Sequence, residues 1–243
     1  MQELSTIRNS HGEALDFTFH PSKKDDYLVI IGHGVTGNKD RPLLRAIAAG
    51  LAARGWPSLR FSYAGNGNSE GDFAASTITK EISDLQSVFE ALTKGKKIAY
   101  CGHSMGGAVG VLTAVRDERL QVLITLAGMV HTKEFCQREF GDVVPDQGLM
   151  WEDPQCPLSQ AYVDDLGHID STLEAAAAME VPWLLIHGDH DDVVPVTDSQ
   201  AAYAVAPEPK KLHIVAGAEH SFSDQTYQEV VHQIDEWLID HFH

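Results

Sequence analysis

Short apolar runs alternate with amphipathic stretches along most of this chain. Six runs are too short for helices: residues 27–31, 58–63, 97–101, 122–127, 182–186 and 212–215. Several are nearly continuous in Val, Ile and Leu, as strands buried on both faces should be. Helical patterns fall between them. Residues 41–53 are rich in Ala and Leu and stop at Gly55. Residues 76–92 carry Ile78, Ile82, Leu85, Val88, Phe89 and Leu92 on one stripe, with Ser76 as the expected cap. Further helices are expected over 106–115, 198–205 and 225–242. Ahead of all these, residues 5–9 and 14–19 flank Ser10-His11-Gly12, turn chemistry that predicts a hairpin. Strands alternating with helices imply an α/β fold. Its sheet is mostly parallel, has helices on both faces, and carries the antiparallel N-terminal hairpin at one edge.

One stretch breaks the rhythm. Between Ala127 and Pro182 there is no clear core strand, and the gap far exceeds an ordinary connection. It holds Pro145, Pro154 and Pro157, the aromatics Phe135, Phe140, Trp151 and Tyr162, and a helix-like segment at 171–179. The expectation is a single domain over residues 1–243 with a small cap insertion at about 129–170. The aromatics serve either as walls of a pocket or as the cap's own small core.

Composition narrows the class. With 243 residues, 43% of them hydrophobic, the chain can build one sizeable core. Acidic residues outnumber basic ones 35 to 18, for a net charge of −17. Such a field repels nucleic acid and anionic membrane surfaces. It also disfavours polyanionic substrates unless a local basic patch overrides it. No run approaches the ~18 apolar residues of a membrane span. The opening Met1-Gln2-Glu3-Leu4-Ser5 begins no signal-peptide stretch. Cys101, Cys136 and Cys156 have no metal or redox spacing. These features predict a soluble, cytoplasmic protein with no nucleic-acid or membrane partner, and leave the oligomeric state open.

The candidate chemistry lies in Gly102-His103-Ser104-Met105-Gly106, a G-x-S-x-G. The pattern alone is weak, since about one chain in ten of this length matches by chance. Indeed Gly67-Asn68-Ser69-Glu70-Gly71 matches too. Context separates them. A nucleophile elbow needs a strand running into the serine and a helix leaving directly after it. Ser104 meets both conditions, whereas Ser69 lies in a Gly- and Asn-rich loop. The same loop mimics a dinucleotide fingerprint, with the wrong spacing and no helix opening at once. Ser104 is the expected nucleophile.

A serine hydroxyl needs a base, and in this architecture the order along the chain is Ser, then acid, then His. His220 follows the last strand and precedes the last helix, which makes it the expected base. Backbone N–H groups for an oxyanion are expected from Met105 and from the loop after residues 27–31, where Val35 is favoured over Gly34. His33 in that loop is read as structural. The acid stays open among Asp189, Asp191 and Asp192, which crowd the loop after residues 182–186.

Taken together, the Ser104 elbow, His33-Gly34, Arg60-Phe61, Gly67-Asn68-Ser69-Glu70-Gly71 and Gly188-x-x-Asp191-x-x-Val194-Pro195 resemble a known group. It is the cinnamoyl/feruloyl esterase and monoacylglycerol-lipase-like branch of the α/β-hydrolase superfamily. The resemblance runs from about Leu28 to His220 and is weakest in the cap. It implies the α/β-hydrolase fold and Asp191 as the acid of a Ser-His-Asp triad. The chain departs from the group with Gly65-Asn66-Gly67 where Gly-His-Gly is usual, and with Val35 where an aromatic is common.

The expected activity is hydrolysis of small-molecule carboxylic esters of small or medium acyl groups, with an uncharged or weakly charged body. It uses no cofactor and no metal. His187-x-Asp189-His190 is rich in ligand types, but no second histidine cluster accompanies it. Serine aminopeptidase and thioesterase activities use the same machinery, and a non-catalytic binding protein is the alternative from another class.

Overall fold

A computed structural model describes residues 6–92 and 95–242. Ser5, the first residue of the expected hairpin, and the rest of the opening pentapeptide lie outside them. Six parallel strands form the body of a seven-stranded sheet: β4 (Tyr27–Gly32), β5 (Ser58–Phe61), β6 (Lys97–His103), β7 (Leu120–Leu126), β8 (Trp183–Gly188) and β9 (Lys210–Val215). Their order is β5-β4-β6-β7-β8-β9, and β3 (Phe17–His20) pairs antiparallel with β5 at one edge. The hairpin forms, but only in part on the sheet. Its two short strands, β1 (Ile7–Arg8) and β2 (Ala14–Leu15), make a separate two-stranded sheet, and only β3 reaches the large one.

Side chains alternate across the sheet, and both faces are covered. Val29, Ile31, Ala99, Cys101, Leu184 and Ile186 face α1 (Pro42–Ala53) and α8 (Tyr227–His241). Leu28, Ile30, Ile98, Tyr100, Leu123 and Leu185 belong to the opposite core. There the helices are α2 (Ile78–Leu92), α3 (Met105–Ala114) and α7 (Val196–Val205). Double coverage is why these strands read as nearly continuous apolar runs.

Ser76 does not cap α2. Thr77 does, its Oγ1 accepting from the Lys80 N–H at 3.1 Å. Ser76 Oγ points inward instead, bonding Asn66 Nδ2 at 2.9 Å and Glu81 Oε1 at 3.2 Å.

The long segment between β7 and β8 folds into α4 (Thr132–Phe140), a 3₁₀ turn (Met150–Glu152), α5 (Gln160–Ile169) and α6 (Leu173–Ala178). Phe135, Phe140 and Tyr162 are buried. Ring centroids lie 6.0 Å apart for Phe135–Phe140 and 6.4 Å for Phe140–Tyr162. These three are the segment's own core. Trp151 is the exposed aromatic of the set.

Candidate active site

Parallel strands place their carboxyl ends along one edge of the sheet, so the loops that follow them share a neighbourhood. Four loops matter here. They follow β4, β6, β8 and β9 and carry Val35, Ser104, Asp191 and His220.

Ser104 occupies the turn between β6 and α3 with φ 55° and ψ −120°, a conformation an L-residue adopts only under constraint. The constraint is visible. Its N–H donates to Leu126 O at 2.9 Å, and its carbonyl accepts from the Gly107 and Met129 N–H groups at 2.8 and 3.0 Å. Close approach explains the neighbouring glycine: a Cβ at Gly106 would sit 2.5 Å from His33 O. Ser104 is thereby held against the loop after β4.

In that loop, Val35 lines the same pocket as Ser104. Among the described residues neither the Val35 nor the Met105 N–H donates to a loop or turn carbonyl, which leaves both for a ligand oxygen. The Met105 side chain is buried, and its Sδ accepts from Tyr162 O–H at 3.6 Å.

Of the three aspartates, Asp191 reaches His220. Its Oδ2 lies 2.9 Å from His220 Nδ1. Its Oδ1 accepts from the Val193 and Val194 N–H groups at 2.9 and 2.8 Å. Burial alone raises the Asp191 pKa, but the donors from His187, His220 and Val194 more than reverse this. The carboxyl is held well below the usual carboxylate range and stays ionised. Asp189 is exposed and accepts from Gly217 N–H at 2.6 Å, and Asp192 is exposed.

Ser104 and His220 face one cavity of about 580 Å³, whose wall includes Val35, Arg41, Trp151 and Tyr227. No direct hydrogen bond joins Ser104 Oγ to His220 among the described residues. Such bonds are often long before a substrate is bound. A hydroxyl, an oriented imidazole and a free Val35 N–H around a cavity, with the free Met105 N–H directly after the serine, are the parts that acyl transfer requires.

The family described as serine aminopeptidase, S33, matches residues 23–153 and 153–225. The chain belongs to this S33 family. It has the α/β-hydrolase fold. An uncharacterised protein of Mycobacterium tuberculosis (strain H37Rv) is 29% identical over 205 residues, 83% of this chain. The chain spans 66% of that relative's length. The mitochondrial palmitoyl-protein thioesterase ABHD10 of Bos taurus is 26% identical over 225 residues, covering 87% of this chain and 72% of the relative. Among solved structures, Est1E from Butyrivibrio proteoclasticus with ferulic acid bound superposes with a TM-score of 0.84 at 23% identity over 98% of both chains. Mouse alpha/beta hydrolase domain-containing protein 10 gives 0.80 at 21%, covering 97% of this chain and 98% of that one. These superpositions show the shared fold.

Three further histidines of this S33-family chain support the site. His187 is fully buried, with Nε2 at 2.9 Å from Val194 O and 3.2 Å from Asp191 Oδ2. A carbonyl can only accept, so Nε2 carries the proton and also faces the carboxylate. His103 Nε2 likewise donates to His220 O at 2.9 Å, and burial drives the His103 pKa down to about 3. His33 joins the β4 loop to the end of β5: Nδ1 donates to Gly34 O at 2.8 Å, and Nε2 accepts from Tyr63 N–H at 3.2 Å. Burial lowers its pKa to about 4, and this neutral ring ties the two segments together. The contacts of His187 and His103 were not legible in spacing, because both depend on loops far apart in the chain. The ring nitrogens of His187 are engaged while Asp189 and His190 are exposed.

The second serine motif has a structural use. Ser69 Oγ donates to Ser62 O at 2.7 Å and accepts from Asp16 N–H at 2.8 Å. It staples the loop after β5 to the chain entering β3.

Proposed function

We propose that this protein is a carboxylesterase acting on small-molecule esters of small or medium acyl groups, through Ser104, His220 and Asp191. The observation that carries the reading is the cavity that Ser104 and His220 share, with Asp191 behind the imidazole. Ser104 Oγ attacks the carbonyl carbon while its proton passes to His220 Nε2. The developing oxyanion takes hydrogen bonds from the Val35 and Met105 N–H groups. The C–O bond to the leaving alcohol then breaks, and the alcohol takes the proton from His220. Water repeats the sequence on the acyl-enzyme and releases the acid. Asp191 stays ionised throughout, orienting the ring and stabilising its protonated form.

In this reading residues 1–243 form a single domain, and the insertion at about 129–170 acts as a cap, with Trp151 at the mouth of the cavity. No helix among the described residues is long and apolar enough to cross a membrane. The three cysteines are free and buried, which suits the reducing cytoplasm.

The family's description as serine aminopeptidases favours a second reading, cleavage of an aminoacyl amide by the same groups. The name of the ABHD10 relative points to thioesters in the same way. One comparison separates them: kcat/KM on p-nitrophenyl esters from acetate to palmitate, beside aminoacyl anilides and acyl-coenzyme A. A clear preference for the shorter esters supports the esterase. Strong anilide cleavage with negligible ester turnover would replace it with the peptidase.

A further inference from the structure

The cavity that holds Ser104 and His220 is unusual in its charge. The chain carries 35 acidic residues, yet among the described residues none lines this cavity. Its one permanently charged side chain is Arg41. Arg41 is exposed, and its Nη2 donates to Thr36 O at 3.0 Å, on the same loop that carries Val35. Among the described residues it pairs with no carboxylate. The adjacent acid, Asp40, is engaged elsewhere, with Lys39 Nζ at 2.8 Å and with Arg60. His33, on the wall of the same cavity, lies close enough to Arg41 for the guanidinium to disfavour its charged form. The first turn of α1 faces the same space with Leu43 and Leu44, carries no side-chain cap and has no acidic residue. Its dipole adds to the positive potential there. Arg41 in the cavity carries the assignment, and the helix end reinforces it.

A guanidinium has five N–H donors in a planar fork, and one is used here. The rest match a carboxylate in bidentate geometry. On the same wall as His220, His33 and His103 are neutral at working pH, and burial raises the Tyr227 pKa so that its phenol is neutral too; none of them competes for an anion. The overall field of −17 works against an anion reaching the cavity, so a local cation kept clear of acids acts as a selective anchor. Several negative charges would still be repelled.

We infer that Arg41 binds a carboxylate on the substrate, so the preferred esters are monoanionic: half-esters of dicarboxylic acids, or esters whose alcohol bears one carboxylate. This rests on the ester reading above and names its substrate class. Because the anchor is not among the reacting groups, it acts mainly on KM.

The test uses two matched pairs at low ionic strength. p-Nitrophenyl hemiglutarate against p-nitrophenyl valerate places the charge on the acyl side, and 3-carboxyphenyl acetate against phenyl acetate places it on the alcohol side. In at least one pair the wild-type protein should favour the anionic ester about ten-fold or more in kcat/KM. Arg41→Gln should shrink that ratio about ten-fold, and Arg41→Lys should restore part of it. Added salt should erode it. Preference for the neutral ester in both pairs, or a ratio indifferent to Arg41→Gln, overturns the inference. Binding of monomethyl glutarate against dimethyl glutarate to the Ser104→Ala protein keeps the two proposals apart. If no ester is cleaved, the ester reading fails. Preferential binding of the half-ester, abolished by adding Arg41→Gln, still supports the anchor, and its absence refutes it.

Discussion

His103 and His187 at the ends of β6 and β8, and His33 and His220 in the loops after β4 and β9, stand at the carboxyl edge of the sheet, and their ring nitrogens divide the work. The first three bond to backbone carbonyls, whereas His220 spends Nδ1 on Asp191 and turns toward the cavity. Replacing Ser104 by Ala should lower kcat by on the order of 10⁶, as loss of a triad serine does elsewhere. Ser69→Ala should leave turnover within about three-fold, costing about 1 kcal/mol of stability through its lost hydrogen bonds. Comparable activity losses in the two variants would show that the elbow is misassigned. Asp191→Asn has a sharper rationale. The Val193 and Val194 N–H groups require an oxygen at the Oδ1 position, so the new amide NH₂ must replace Oδ2. There it opposes the His220 Nδ1–H and drives the ring toward the wrong tautomer. Steady-state kinetics should show a loss of about 10⁴ in kcat. Asp189→Asn should change kcat by less than about ten-fold, since its partner is Gly217.

Elements matter here through how closely they approach. The loop after β4 lies against the elbow without room for a side chain: a Cβ on Gly34 would come 2.7 Å from the Ser104 Cβ. Gly34→Ala should therefore displace the loop that presents Val35, with β4 itself intact. The expected result is a fall in kcat of on the order of 10², similar to removing one oxyanion donor. A fluorophosphonate should still label Ser104, only more slowly. Unchanged kcat in a folded Gly34→Ala protein would remove Val35 from the proposed machinery. The segment between β7 and β8 makes a related point. Its aromatic residues look alike in sequence, yet Phe135, Phe140 and Tyr162 fill its interior and Trp151 alone of the four reaches the cavity.

Across the whole molecule, one buried acidic pair joins parts that are distant in sequence. Asp84 accepts from Asn9 Nδ2 at 2.7 Å and from Ala64 N–H at 2.8 Å, tying α2 to the N-terminal hairpin and to the chain after β5. Glu81, one turn earlier, is 1% exposed, and its Oε2 has no hydrogen-bond partner. Burial first, and then the nearby Asp84, raise the Glu81 pKa far above the ordinary carboxyl value. A carboxyl that holds its proton more tightly when folded stabilises the fold in acid. That stability is fully present below the unfolded value of about 4.3 and declines as pH rises toward the folded one. Thermal melts from pH 4 to 9 should show Glu81→Gln gaining on the wild type as pH rises, with the two converging in acid. A gap independent of pH would mean that Glu81 does not titrate across the unfolding transition. Such pairing lies outside what a single sequence displays, and the same holds for much of the site. Strands, helices and the Ser104 elbow were legible because each depends on local periodicity or on residues adjacent in the chain. The position of His220 was legible because the order of strands and loops is itself linear. The residues alone left the acid among three aspartates, and the choice of Asp191 came from the family resemblance. In the folded chain, the β8–β9 register aligns Gly188 with Val215 and brings the two following loops together. The same holds for His187 behind Asp191, for Ser69 as a staple and for Arg41 in the cavity. Periodicity along a chain records which face of an element is buried; which side chains meet at the ends of a sheet is decided by strand order and loop path, and those exist only in three dimensions.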